Sequence, residues 1–324
     1  MFDVISVGSA TVDVFAQTES ELIKIKTNHT EEIFISYPSG TKILVKELDF
    51  FVGGGGTNTA VSFSRLGLKT GYIGKVGKDA NADIVLNLLK KEKVSFLGGK
   101  GKATGYSIIL DSIESDRTIL TYKGANNDLT FKEIKNKKAK WYYFSSMMEA
   151  SWKTSEQLVS YAKKNNIKVA FNPSSYQAKS GIDALQMFLE NTTVLVLNKE
   201  EAKYIVGPLV MDNLLKKLKE TGPEIVVITD AKNGVYCYDG VWFYHLNAAK
   251  HIPVKETTGA GDAFASTFVA GLAMNKPIQT CLKMGMINAE SVIQYYGAKN
   301  ILLSRKALFA KLAKDNRTVF KHKI

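Results

Sequence analysis

Strand-like runs alternating with helical stretches constrain this chain most. FDVISVGS, TGYIGKVG, WYYFSS, KVAFN, TVLVLN and EIVVIT are separated by helix-patterned segments at 57–66, 79–92, 153–165, 199–206 and 212–221. Such alternation predicts an α/β fold, a doubly wound and mainly parallel sheet flanked by helices. The carboxyl ends of its strands would form the ligand edge. After residue 230, NGVYCYDG and VWFYHL meet at Asp239-Gly240, a hairpin dipeptide. Helices then follow at 260–274, 278–295 and about 304–314.

Two excursions break the pattern. Residues 13–50 contain EEIFISYP, then SG, then TKILVKEL, which reads as a hairpin turning at Pro38-Ser39-Gly40. ATGYSIILDS and DRTILTYK read as a second strand pair. Together, about 13–50 and 103–124 predict a small β-sheet lid on a single domain spanning 1–324. The lid's apolar residues Phe34, Ile43, Val45, Ile108, Leu110 and Ile119 need burial that a two-stranded flap cannot supply alone.

At 324 residues, 45% apolar and 23% charged, the chain can build a large core. No stretch approaches the eighteen or so apolar residues of a membrane helix, so no membrane partner is expected. MFDVISVGSATVD reads as a buried strand and not as a signal peptide. Cys237 and Cys281 lack metal or redox spacing and are expected to be reduced core thiols of a cytoplasmic protein. The net charge of +12 is dispersed over KKEK, KNKKAK and KKLK, with VFKHKI as the one basic tail. No basic–aromatic interleaving or nucleic-acid module accompanies it, so no nucleic-acid partner is expected. A field attracting ATP and anionic substrates fits equally well.

Chemistry concentrates at ETTGAGDAF, residues 256–264, ahead of the apolar helix ASTFVAGLAM. Gly259 and Gly261 permit a tight turn and close backbone approach. The amides of Gly259, Ala260 and Gly261 would face out of a helix N-terminus, where negative charge is favoured. Asp262 lies in that first turn, where it can complement the helix dipole or accept a proton. Amides that hold an anion beside such a carboxylate suit phosphoryl transfer to a hydroxyl. No GxxxxGK[ST] phosphate loop is present. A second glycine run, VGGGGTNTAVSFSRLG at 52–67, is bounded by apolar residues and opens a buried helix closing at Gly67. Thr57 or Asn58 would cap it; alternatively, Asn58 offers its amide to a polyol or nucleoside.

GGGGTNTAVSFSRLG and ETTGAGDAFASTF, in that order and spacing, resemble the two signature segments of the ribokinase-like (PfkB-type) carbohydrate kinases. GYIGKVGKDANAD, DRTILTYKGANNDLT, FNPSS, LNKEEA, TDAKNGV and INAESVIQYYGA extend the resemblance over essentially the whole chain. It implies an ATP-dependent kinase acting on a primary hydroxyl of a small sugar of ribokinase, fructokinase or ketodeoxygluconate-kinase type. A purine or broad-range nucleoside kinase is the alternative. A phosphosugar kinase or a non-catalytic nucleotide- or sugar-binding protein is more distant. The resemblance makes Asp262 the general base and the amides at Gly259, Ala260 and Gly261 the anion hole. It assigns substrate contacts to Asp13, Gly54, Asn58, Glu149 and Asn172, and nucleotide contacts to Asn198, Thr229, Ala231, Gly234 and Asn288. Glu201 would place Mg²⁺ through water, although Asn198 and Glu201 also have the spacing of a capping box. The lid would close over the sugar and form a homodimer through its exposed face. Three departures stand out. Gly55 replaces a common lysine, and Ala231 replaces a glycine. Glu256 replaces the more frequent Asp of an activating K⁺ site, which leaves potassium dependence open.

Overall fold

The chain, a computed structural model, is described over residues 1–18, 21–26, 31–111 and 117–323. Ten strands form the main sheet. Their order is Phe320–Lys323 (β18), Trp242–Leu246 (β17), Val235–Tyr238 (β16), Ile225–Thr229 (β15), Val194–Asn198 (β14), Lys168–Phe171 (β13), Ala139–Phe144 (β12), Phe2–Val7 (β1), Thr70–Ile73 (β6) and Ser95–Phe96 (β8). From β15 to β8 every neighbouring pair is parallel, and β16, β17 and β18 extend the sheet antiparallel.

The strand runs are continuously apolar because helices cover both faces. Alternate residues divide between two cores. Tyr142, Phe144, Leu195 and Leu197 pack with Glu149–Lys164 (α3), Gly181–Leu189 (α5), Lys199–Val206 (α6) and Met211–Glu220 (α7). Trp141, Tyr143, Val194 and Val196 pack with Gly55–Arg65 (α1), Ala260–Ala273 (α8), Ile278–Val292 (α9) and Arg305–Leu312 (α10). Ala80–Lys91 (α2) joins a third cluster through Val85 and Leu89, and Ser175–Ala178 (α4) is a single turn. Both cysteines are buried and free, as their spacing predicts.

A second, four-stranded sheet runs Arg117–Tyr122 (β11), Gly105–Asp111 (β10), Thr11–Thr18 (β2), Val45–Gly53 (β5). Two ribbons complete the strands: Glu21–Lys26 (β3) with Glu31–Ser36 (β4), and Lys75–Val76 (β7) with Gly99–Lys100 (β9). The β10–β11 pair forms as expected. The hairpin predicted across Pro38-Ser39-Gly40 does not: β4 pairs with β3, while β5 crosses to β2 and keeps register from Thr11↔Gly53 to Gln17↔Glu47. That longer ladder satisfies more backbone groups than a local hairpin could.

The expected burial of the excursions' apolar residues is met only in part, with Ile43 and Leu110 half-buried. Phe34's side chain lies outside the described residues, while Val45, Ile108 and Ile119 are exposed. Phe50, Val14, Ile108 and Leu120 are directly paired across four strands, and Phe50, Ile108 and Leu120 show an apolar face to solvent. The other face carries Asp13, Phe15 and Ile109. VFKHKI, read as a basic tail, is instead largely the edge strand β18, with the Lys321 ammonium 4.0 Å from the Trp242 ring centroid. A lysine there discourages further strand addition.

Candidate functional site

The chain leaves β1 towards β6 and β8, then returns to β12 and continues in the opposite direction to β15. The order therefore reverses between β1 and β12, where open α/β sheets bind ligands. A cavity of about 280 Å³ lies at that place. Strand ends supply Ser9, Ser145, Asn172, Asn198 and Thr229; helix starts supply Gly55, Glu201, Gly261 and Asp262.

Two helices define its chemical wall. Asn58 and Ser62 lie one turn apart on α1, as do Asp262 and Ser266 on α8, so the pairs face each other along one stripe. Asn58 Nδ2 donates to Asp262 Oδ2 at 2.8 Å, and Ser266 Oγ donates to Ser62 Oγ at 2.7 Å. Burial pushes the half-buried Asp262 carboxyl above its usual range, opposed by Asn58's hydrogen bond and Lys299's charge. It is consequently a better proton acceptor than an exposed aspartate once ionised.

Gly259 caps α8 at φ 83°, and a Cβ there would lie 2.4 Å from Ala298 Cβ. Only glycine brings α8 this close to that loop. Ala260 N donates to Thr257 O at 3.2 Å, so it does not serve as the open donor expected of it. A Cβ on Gly261 would meet nothing within 4 Å, leaving ligand space over the helix N-terminus. Among the described residues, those lining the cavity include no Lys or Arg, and Gly55 stands where a lysine is common. The helix N-termini at the cavity favour negative charge.

Glu201 is buried, with its carboxyl pushed up by desolvation. Its Oε2 accepts from Asn198 N at 3.0 Å, and Asn198 Oδ1 accepts from Glu201 N at 2.9 Å, completing the capping box. Its Oε1 accepts from Ser175 Oγ at 3.3 Å and retains lone-pair capacity towards the cavity it lines. Among the described residues no group of three His, Cys, Asp or Glu side chains could cage a metal. One carboxylate and water-rich coordination fit Mg²⁺ better than a closed protein site.

The remaining expected site residues divide. Asn172 lines the floor, with Nδ2 donating to Val196 O at 2.7 Å. Asp13 lies on the inner face of the second sheet, and its Oδ1 is buried with no partner among the described residues. Such an orphaned acceptor suits a ligand hydroxyl. Gly54 is the N-cap of α1, replacing Thr57 or Asn58 in that role; Thr57 Oγ1 instead donates to Gly53 O at 2.6 Å. Glu149 does not reach the cavity. It is exposed at the start of α3, whereas Ser145 and Ser146 line the site from the preceding strand end. Asn288 is also corrected: fully buried, it donates from Nδ2 to Thr267 Oγ1 and accepts at Oδ1 from Leu303 N. Its amide ties α8, α9 and the loop beyond them together, with none turned to a nucleotide.

Ala231 lies outside the cavity lining in a 3₁₀ turn, at φ 44°. A non-glycine residue pays steric strain in that region. Ala231→Gly is expected to raise the melting temperature by a few degrees, equivalent to about 1 kcal/mol, in a differential scanning measurement. Glu256 is buried, and its Oε2 accepts from Gly297 N at 3.2 Å.

Sequence reasoning missed the hydroxyl ring of Ser9, Ser145, Ser146 and Ser174. Its signal was the serines after three strand runs, in VGSA, FSSMM and NPSS. It also missed Lys299, which is 6% exposed and reaches Asn58 from a distant loop.

The sequence profile of the pfkB family carbohydrate kinases matches residues 1–305, and the chain belongs to that family. Its class is that of ATP-dependent sugar or nucleoside kinases. It is 28% identical over 280 residues to the ribokinase of Lactococcus lactis, covering 85% of this chain and 90% of that one. To the 5-dehydro-2-deoxygluconokinase of Halalkalibacterium halodurans it is 23% identical over 334 residues, covering 97% and 95%. The fold matches the ribokinase structure from Thermotoga maritima at TM-score 0.80 and 20% identity, covering 97% of this chain and 100% of that one. It matches the nucleoside kinase of Methanocaldococcus jannaschii at TM-score 0.77 and 20% identity, covering 97% and 99%.

Proposed function

We propose that this chain transfers the γ-phosphoryl group of ATP to a primary hydroxyl of a small sugar of ribokinase, fructokinase or ketodeoxygluconate-kinase type. The observation that carries the reading is Asp262, held by Asn58 beside the open space over Gly261. Asp262 accepts the hydroxyl proton as the sugar oxygen bonds to phosphorus and the bond to the ADP oxygen breaks. The first-turn amides of α8 meet the charge on the transferring group. Asp13 Oδ1 accepts from a sugar hydroxyl. Glu201 would help hold Mg²⁺, which would supply neutralisation of phosphate charge. Relatives named ribokinase and 5-dehydro-2-deoxygluconokinase support a free sugar as acceptor.

An ADP-release screen over ribose, fructose, ketodeoxygluconate, 5-dehydro-2-deoxygluconate, adenosine, inosine, cytidine and fructose phosphates tests this. Release is expected on a free sugar. Preference for a nucleoside would replace the substrate reading, and release on no acceptor would overturn the kinase reading. Chelation with EDTA should abolish release and added Mg²⁺ restore it; turnover unaffected by chelation would remove Glu201's role. The second sheet acts as a lid whose outer apolar row docks on a second copy. Paired Phe50→Lys and Leu120→Lys substitutions should yield a monomer by light scattering, and an unchanged dimer would exclude that face.

A further inference from the structure

Lys299 stands outside every motif, yet its side chain runs into the site along α1. Arg65 Nη1 donates to its carbonyl at 2.9 Å, and Arg65 also pairs bidentately with Glu92 through bonds of 3.0 and 2.7 Å. Two turns earlier on the same helix, Asn58 Oδ1 accepts from the Lys299 ammonium. The ammonium also donates to Val52 O on β5 at 2.5 Å. Val52 pairs with Val12, next to Asp13, on the adjacent strand.

An amide has one acceptor end and one donor end. With the ammonium on Oδ1, Asn58 can present only Nδ2 to Asp262, the orientation observed. A rotated amide would put an oxygen against the carboxylate and a nitrogen against the ammonium, two like-facing contacts.

We propose that Lys299 is a positioning residue for Asp262, its ammonium fixing the Asn58 amide so that the carboxylate is aimed, and tying that arrangement to the strand beside Asp13. This rests on the reading of Asp262 as the proton acceptor. Every charged group in reach enters the balance. Lys299 is flanked by Asp13, Asp262, Arg65 and Glu92, and its burial lowers it to about 7. Asp262 shares its surroundings with Glu201 and with Tyr143, whose buried phenol is pushed up and stays neutral. Lys299 is the cation among these groups that bears on Asp262. It pulls the carboxyl down against the upward push of burial.

The test compares wild type, Lys299→Met and Lys299→Arg. The carboxyl carbon of Asp262, assigned by its loss in Asp262→Asn, is followed by ¹³C NMR against pH. The pH profile of kcat/KM is measured on the same proteins. In Lys299→Met the Asp262 titration and the acid limb should both move to higher pH. Turnover at neutral pH should fall about 10- to 100-fold, with KM for ATP held. Lys299→Arg, which keeps a cation, should stay near wild type in the NMR titration. An Asp262 titration unmoved in Lys299→Met would overturn the proposal, as would an equal upward shift in both variants. Because the NMR readout needs no turnover, failure of the proposed reaction would show separately, as absent ADP release in wild type.

Discussion

Asp262→Asn is expected to lower kcat by about 10²–10⁴-fold without lowering the melting temperature at neutral pH. The activity loss follows from removing the carboxylate at the α8 N-terminus, beside the ligand space over Gly261. Asparagine keeps the shape and can present its oxygen to Asn58 Nδ2, so the α1–α8 contact survives. The stability arm has a definite sign. Asp262 is pushed above its unfolded value chiefly by burial. A raised carboxyl gives its full stability only below the unfolded value near 3.9, and that stability is lost as pH rises through the folded value. As pH rises, ionising this buried carboxyl opposes folding, and the amide carries no such penalty. Melting curves of the two proteins should coincide at acid pH and separate, with the variant at least as stable, towards pH 7. Retained turnover would remove Asp262 from the chemistry. A clear loss of melting temperature at neutral pH would mean the residue is structural instead.

The main sheet was legible because six apolar runs carry their own length and spacing, and burial on both faces leaves no competing pattern. The second sheet was legible only in part. Strands 105–111 and 117–122 are neighbours in sequence and pair locally, whereas β5 pairs with a strand far back in the chain. Alternation in TKILVKEL shows that a strand exists there but says nothing about its partner. Glycine motifs located the α1 and α8 N-termini, since backbone approach needs specific residues at specific offsets. They did not distinguish Gly261, with open space beside it, from Ala260, whose amide is already spent in a turn. Asn288 misled for a related reason: a buried Asn on a motif helix reads the same whether its amide faces a ligand or, as here, Thr267 and Leu303. Lys299 was invisible because its partner lies 241 residues away, and one lysine among many dispersed ones has no pattern.

Gly234→Ala should destabilise the chain by about 3 kcal/mol or more, a fall in melting temperature on the order of 5–10 °C. Gly234 has φ 89° and ψ −137°, a region that residues with a Cβ essentially do not occupy. An added Cβ would lie 2.1 Å from Leu246 O and 2.8 Å from Ala248 N. Both are backbone atoms, one at the end of β17 and one just beyond it, so no side chain can swing aside. The residue also closes the 3₁₀ turn, accepting from Asp230 N at 2.8 Å and donating to Ala231 O at 3.1 Å. Its motif position alone would assign it to the nucleotide; its surroundings make the turn its first task. Gly261→Ala is the matched control, the same added methyl where nothing lies within 4 Å. That variant should keep its melting temperature within about 2 °C and lose turnover, because the methyl enters the space above the α8 N-terminus. Scanning calorimetry with initial-rate measurements on both variants separates the two glycines. If Gly234→Ala melted like wild type and only raised KM for ATP, the nucleotide role would be primary; if Gly261→Ala turned over normally, the phosphate site would not lie over that helix.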